Sequence, residues 1–229
     1  MRIVIRDDPA AVAETAAAIV RDELAVPGPA SLGLAGGSTP TATYRALARA
    51  DIDWERVTLW LGDERWVPSD HVESNERMVR EQLGAEAAER LVTPDFRLND
   101  PATAAASYEK TLESVFGPTD GAPGSVLLGM GPDGHTASLF PGNQALEIQD
   151  RRYVATFVEA HSVWRLTATL PLLAAARHLI FLVTGSEKAE KVAEILAGGA
   201  SYPAGMVTQR ASNVTWILDS SAASALESP

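Results

Sequence analysis

Short apolar runs alternate along this chain with longer stretches in which apolar residues recur every three or four positions. The first pattern is that of strands buried on both faces, and the second that of amphipathic helices. Ile3–Ile5 begins the series, and a helix from Pro9 to Leu24 follows, capped by Asp7 or Asp8 and stopped by Pro27-Gly28-Pro29. Ser31–Ala35 reads as a buried strand that enters a helix through Gly36-Gly37-Ser38-Thr39-Pro40, with Ser38 or Thr39 as cap. Val57–Leu61 is the next strand, and Asn75–Leu83 the next helix. Residues 91–101 look irregular, Ala102–Phe116 amphipathic, and Gly117–Gly124 a loop introducing the strand Val126-Leu127-Leu128. Tyr153–Val158 is a further strand candidate. The polar–apolar alternation of Arg165–Pro171 suggests a strand with one wet face carrying Arg165, Thr167 and Thr169. Leu172–Arg177 gives a helical turn or two, and His178–Gly185 the strongest buried strand. Ser186 should cap a helix over Glu187–Leu196, Tyr202–Gly205 reads as loop, Val214–Asp219 as the last strand, and the Ala/Ser-rich tail as a short helix.

This alternation predicts an α/β fold, one mostly parallel sheet with helices on both faces, formed by a single domain over residues 1–229. Ligands of such sheets collect at the carboxyl ends of strands. Four of those ends carry unusual residues: Gly36-Gly37-Ser38, Asp63-Glu64-Arg65, Asp133-Gly134-His135 and Gly185-Ser186-Glu187-Lys188. A connecting turn can hold a histidine by chance, but glycines at 129, 131 and 134 leave bare backbone around Asp133 and His135. Three charged residues closing an apolar strand are costly unless they face a solvated cleft or one another. A lysine in the first turn of a helix opposes the helix dipole, which makes sense where an anion sits between them. Together the four ends offer an anion cradle, cations, carboxylates and an imidazole, the equipment for acid–base chemistry on a small phosphorylated substrate.

Composition narrows the partners. The charged residues are 19 basic and 30 acidic, a formal net charge of −11, and no basic run exists to engage nucleic acid or an anionic membrane. There is no cysteine, so disulfides and thiolate chemistry are excluded. The N-terminal residues lack the apolar core of a signal peptide and no apolar span reaches membrane length, which points to the cytoplasm.

Five segments, Leu34–Pro40, Gly62–Pro68 with Ser74-Asn75, Leu128–Pro141, Arg165–Pro171 and Thr184–Ala189, together resemble the 6-phosphogluconolactonase family, which is related to the glucosamine-6-phosphate deaminases. The resemblance runs from about residue 30 to 220 with no departure at a motif position. It implies the sheet fold of the deaminases and ribose-5-phosphate isomerases. It also implies cofactor-free, metal-free hydrolysis of a sugar-phosphate lactone. On this basis His135 is the expected general acid/base, with Asp133 or Asp63 orienting the imidazole or a sugar hydroxyl. Gly36, Gly37, Ser38, Thr39, Lys188 and Arg165 are expected at the phosphate, and Arg65 either there or bracing Asp63. Rival readings are a deaminase or isomerase acting at C2 on the same fold, and a non-catalytic sugar-phosphate sensor. Monomer and homodimer are equally compatible with the sequence.

Overall fold

In the computed structural model, residues 1–159, 162–199 and 201–226 are described. The elements in chain order are β1 (Arg2–Arg6), α1 (Pro9–Leu24), β2 (Ala30–Leu34), α2 (Ser38–Leu47), β3 (Val57–Leu61), β4 (Asp63–Arg65), α3 (Asn75–Leu83), α4 (Ala85–Ala88) and β5 (Leu91–Val92). They continue with α5 (Pro101–Phe116), β6 (Ser125–Gly129), β7 (Tyr153–Val158), β8 (Val163–Ala168), α6 (Leu170–Ala174), β9 (His178–Val183), α7 (Ala189–Leu196), α8 (Pro203–Arg210) and β10 (Val214–Asp219).

Seven strands form one parallel sheet in the order β1-β10-β9-β6-β2-β3-β5. Successive side chains of a strand point to opposite faces, and the two halves of the core divide accordingly. Val126 and Leu128 of β6, with Leu179, Phe181 and Val183 of β9, pack against α5, α6, α7 and α8. Leu127, Ile180 and Leu182 from the same strands pack against α1, α2 and α3 on the other face. Each such burial stabilises by about 1.5–3 kcal/mol. Phe181 and Trp216 stack at 4.2 Å between neighbouring strands. Gly33 is a packing glycine, because a Cβ there would lie 2.7 Å from the Trp60 ring. The chain winds outward from β2 to β3 and β5 on one side and from β6 to β9 on the other. The crevice between β2 and β6 is therefore the switch point where a ligand fits.

The parallel sheet is the one expected from the sequence, and several local features differ from expectation. A second, antiparallel sheet, β4-β8-β7, was not foreseen. It forms because Asp63–Arg65 pairs with Arg165–Thr167 instead of remaining a loop. The face bearing Thr167 and Thr169 is buried, not wet, since both hydroxyls bond within the fold. Leu91–Val92 adds a short edge strand to a stretch that looks irregular. Tyr202 starts a helix, with Pro203 in its first turn where the missing N–H costs nothing. The tail through residue 226 makes turns, not a helix. Gly37, at φ 107°, holds the N-cap position of α2, and neither Ser38 nor Thr39 caps it. Ser186 opens a 3₁₀ turn to Lys188 ahead of α7 and supplies no side-chain cap. Asp8 and Ser74 do cap α1 and α3, accepting from Ala11 and Arg77 amides. No helix among the described residues is long and apolar enough to cross a membrane.

Candidate active site

A cleft of about 200 Å³ opens at the carboxyl ends of β2, β3, β6 and β9. Nine of the ten residues expected from the sequence line it: Gly36, Gly37, Ser38, Thr39, Asp63, Arg65, His135, Arg165 and Lys188. The tenth, Asp133, stands behind the imidazole. Its Oδ1 lies 2.5 Å from His135 Nδ1 and also accepts the His135 amide at 3.1 Å. A carboxylate can only accept, so Nδ1 is the donor of this pair, and in a neutral ring so bonded the lone pair lies on Nε2. The ring stacks on Phe140 at 4.2 Å, and the Arg165 guanidinium lies 5.6 Å from the centre of the same Phe140 ring. Gly131 makes room for this arrangement, because a Cβ there would fall 2.1 Å from His135 Cε1. Ala137, in the same turn, takes a left-handed conformation (φ 48°) that L-residues adopt at a cost.

The opposite wall is the start of α2. The amides of Gly36, Gly37, Ser38 and Thr39 make no hydrogen bond within the described residues, and a helix N-terminus presents such groups to anions. Two contacts hold this turn. The Tyr44 hydroxyl accepts from the Ala35 amide and donates to the Ala35 carbonyl, and the Thr39 and Thr184 hydroxyls meet at 2.8 Å. Lys188 lines the same cleft, and among the described residues the carboxylate paired with its ammonium is that of Glu187, at 3.7 Å. Gly185, which starts its turn, donates its amide to Asp219.

Asp63 and Arg65 face the cleft from β4, with Arg165 from β8. Of the two aspartates named from the sequence, Asp133 is the one that touches the imidazole, and Asp63 makes no hydrogen bond to it among the described residues. Asp63 Oδ2 accepts from Ser138 at 2.7 Å and lies 4.0 Å from Arg165 Nη1. Burial pulls the Arg165 pKa below its usual value, and the Asp63 charge draws it back up. Arg65 does not brace Asp63, because its Nη1 donates to the Glu73 carbonyl at 2.6 Å. The Nε atoms of Arg65 and Arg165 are buried without a hydrogen-bond partner among the described residues.

Glu64 was grouped by sequence with its charged neighbours, yet strand alternation turns it away from the cleft into the interior, where it is fully buried. One oxygen accepts the amides of Arg65 and Asn75 and the other the Glu76 amide and the Ser74 hydroxyl, so the carboxylate staples β4 to the start of α3. Burial pushes its pKa from 4.5 up to about 6, against the pull of those amides. Glu64→Gln places an amide nitrogen against a backbone N–H, and we expect it to lower stability by about 1–3 kcal/mol at neutral pH. The native pKa is raised, so the proton-linked part of the glutamate's contribution is fully present below about pH 4.5 and is lost as pH rises through about 6, leaving the hydrogen-bond difference at neutral pH. The gap between wild type and variant should therefore narrow over that interval, which urea unfolding at pH 4.5 and pH 7 would measure. Sequence reasoning gave no signal for Glu64, for the Asp219 anchor or for the Phe140 stack beyond the motifs that contain Glu64 and Phe140. Among the described residues no group of three or more His, Cys, Asp or Glu side chains forms a potential metal cluster.

A parallel sheet with unbonded helix-start amides, two arginines, a lysine and an imidazole–carboxylate pair gathered in one cleft at its switch point has the build of an α/β enzyme. The chain belongs to the family described as glucosamine-6-phosphate isomerases/6-phosphogluconolactonase, whose model matches residues 7–216. Within that family it is similar to the 6-phosphogluconolactonase of Nostoc sp. (strain PCC 7120), 37% identical across 86% of this chain and 84% of the relative. It also resembles the structure of 6-phosphogluconolactonase from Trypanosoma cruzi, with a TM-score of 0.88 at 30% identity over 99% of this chain and 97% of that one. A monomeric glucosamine-6-phosphate deaminase shares the fold as well, with a TM-score of 0.85 at 25% identity over 98% of this chain and all of that one.

Proposed function

We propose that this chain hydrolyses 6-phospho-D-glucono-1,5-lactone to 6-phosphogluconate, the second step of the oxidative pentose phosphate pathway, and that it acts in the cytoplasm. The observation that carries the mechanism is the Asp133–His135 pair facing an anion cradle across one cleft. The 6-phosphate sits on the amides of Gly36 to Thr39, with Lys188 as its counter-ion and Arg165 and Arg65 in reach of the cleft. Phosphate held at one wall presents C1 of the lactone to His135 at the other. His135 Nε2 takes a proton from water as the water oxygen adds to C1. The imidazolium, steadied by Asp133, then gives that proton to the ring oxygen as the C1–O5 bond breaks. The tetrahedral oxyanion needs nearby donors, and the Ala137 amide, on the cleft wall and without a partner among the described residues, supplies one. Asp63 accepts a hydroxyl of the sugar. A lactone is an activated ester that also opens unaided, so this modest equipment suffices.

The deaminase reading draws support from the shared fold, but a fold does not fix the chemistry. Two assays separate the readings: acid release from fresh 6-phosphoglucono-δ-lactone, corrected for the spontaneous rate, and ammonia release from glucosamine 6-phosphate. We expect acceleration in the first and none in the second. The reverse would transfer the chain to the deaminases, and binding without turnover in either would make it a sensor.

A further inference from the structure

We infer that Asn75 is a positioning residue for this reaction, its one carboxamide aiming the Asp63 carboxylate and shaping the Gly36-Gly37 turn at the same time. The inference rests on the lactonase reading above. Asn75 opens α3, is 1% exposed, and does not line the cleft. Its Nδ2 donates to the Asp63 carbonyl at 2.8 Å and, more weakly, to Asp63 Oδ1 at 3.4 Å. Both acceptors lack a proton to give, so the nitrogen must face β4 and Oδ1 must face the other way. There Oδ1 is buried with no hydrogen-bond partner among the described residues, and it lies 2.2 Å from where a Cβ on Gly36 would stand. The amide is thus wedged between the reacting-side carboxylate and the bare backbone of the anion cradle.

Nothing in this wedge is free to drift. The Asn75 amide N–H is held by Glu64, and the second oxygen of Asp63 is held by Ser138, whose own amide bonds Thr167 of β8. Four segments, β4, α3, the His135 turn and β8, therefore meet at Asp63, and Asn75 adds contact with the cradle. An unpaired buried carbonyl is a cost that folded proteins rarely keep without a reason. Here the reason is steric definition of a turn that must offer consecutive amides to one phosphate.

Asn75→Asp keeps the shape and reverses the logic. A carboxylate in place of the amide sets acceptor against acceptor at Asp63, whereas protonation of the introduced carboxyl group restores one donor. The other ionisable groups around the pair are Glu64, whose oxygen holds the Asn75 amide at 2.7 Å, Arg165 at 4.0 Å from Asp63, and the buried Tyr44 and Tyr153 hydroxyls, both of which feel the Asp63 charge. We expect kcat/KM for the phosphorylated lactone, corrected for spontaneous opening, to fall about 100-fold at pH 8 and to recover about tenfold relative to wild type by pH 5.5. Asn75→Ala should show a loss of about tenfold or more that does not vary with pH, mostly in kcat, with 6-phosphogluconate affinity by calorimetry also weakened. Thermal unfolding of each variant establishes that it is folded. An Asn75→Asp profile parallel to wild type, or an Asn75→Ala enzyme with wild-type turnover, overturns the inference, as does failure of both variants to fold. A wild type that leaves the lactone rate unchanged overturns instead the lactonase reading on which the inference stands.

Discussion

His135→Ala is expected to lower kcat for lactone opening by about 10³-fold while leaving affinity for 6-phosphogluconate within a few-fold of wild type. The asymmetry follows from where the imidazole sits. His135 and the start of α2 line the same cleft from different strand ends, so in the proposed mechanism removing the imidazole takes away the proton carrier and leaves the proposed phosphate contacts in place. Asp133 fixes the tautomer through Nδ1, and the stack on Phe140 fixes the ring plane, so Nε2 is the atom left for the chemistry. The Ala side chain also relieves the close approach to Gly131, so the turn has no steric reason to unfold. Initial rates over a range of lactone concentrations, together with product titration calorimetry, separate the two parameters. Near-normal kcat would remove His135 from the mechanism and move the base to one of the aspartates. A large loss of product affinity would show instead that the turn had collapsed.

Lys188→Ala should act in the complementary sense, raising KM for the phosphorylated lactone by about 10–100-fold, since a hydrogen bond to a charged group contributes about 1.5–3 kcal/mol. Its ammonium is only 3.7 Å from Glu187 and is partly exposed, so the weak internal pairing leaves it available to an anion. Opening of unphosphorylated glucono-δ-lactone should hardly change. Comparing kcat/KM for the two lactones in both proteins isolates the phosphate contribution. Equal losses on both substrates would mean that Lys188 supports the fold of its turn and does not bind phosphate.

The parallel sheet was legible because β6 and β9 are uninterrupted apolar runs and because each run is followed by turn residues. The site was legible for a related reason: at those strand ends glycines, charges and one histidine break the apolar pattern, and the fold brings them to one cleft. Capping was less legible. Ser38 and Ser186 are ordinary cap residues, but Gly37 and Gly185 take positive φ and displace them, leaving the amides of the α2 start unbonded within the described residues. The small antiparallel sheet was hidden because Asp63–Arg65 shows no apolar signal, being paired through its backbone to β8. Glu64 illustrates the limit best. Between two residues that face the cleft, a third charge of the same local sequence points inward, and besides the adjacent Arg65 amide it is the donors gathered from Ser74 to Glu76 that make its burial tolerable. Those donors lie ten to twelve residues away, beyond any local pattern.

The most direct test of this account is a crystal structure with 6-phosphogluconate bound. The account predicts phosphate oxygens on the amides between Gly36 and Thr39 and on Lys188 Nζ, with the C1 carboxylate at hydrogen-bonding distance, about 2.6–3.2 Å, or one water away from His135 Nε2. A product bound the other way round, with its phosphate against His135 or its C1 carboxylate remote from that ring, would contradict it.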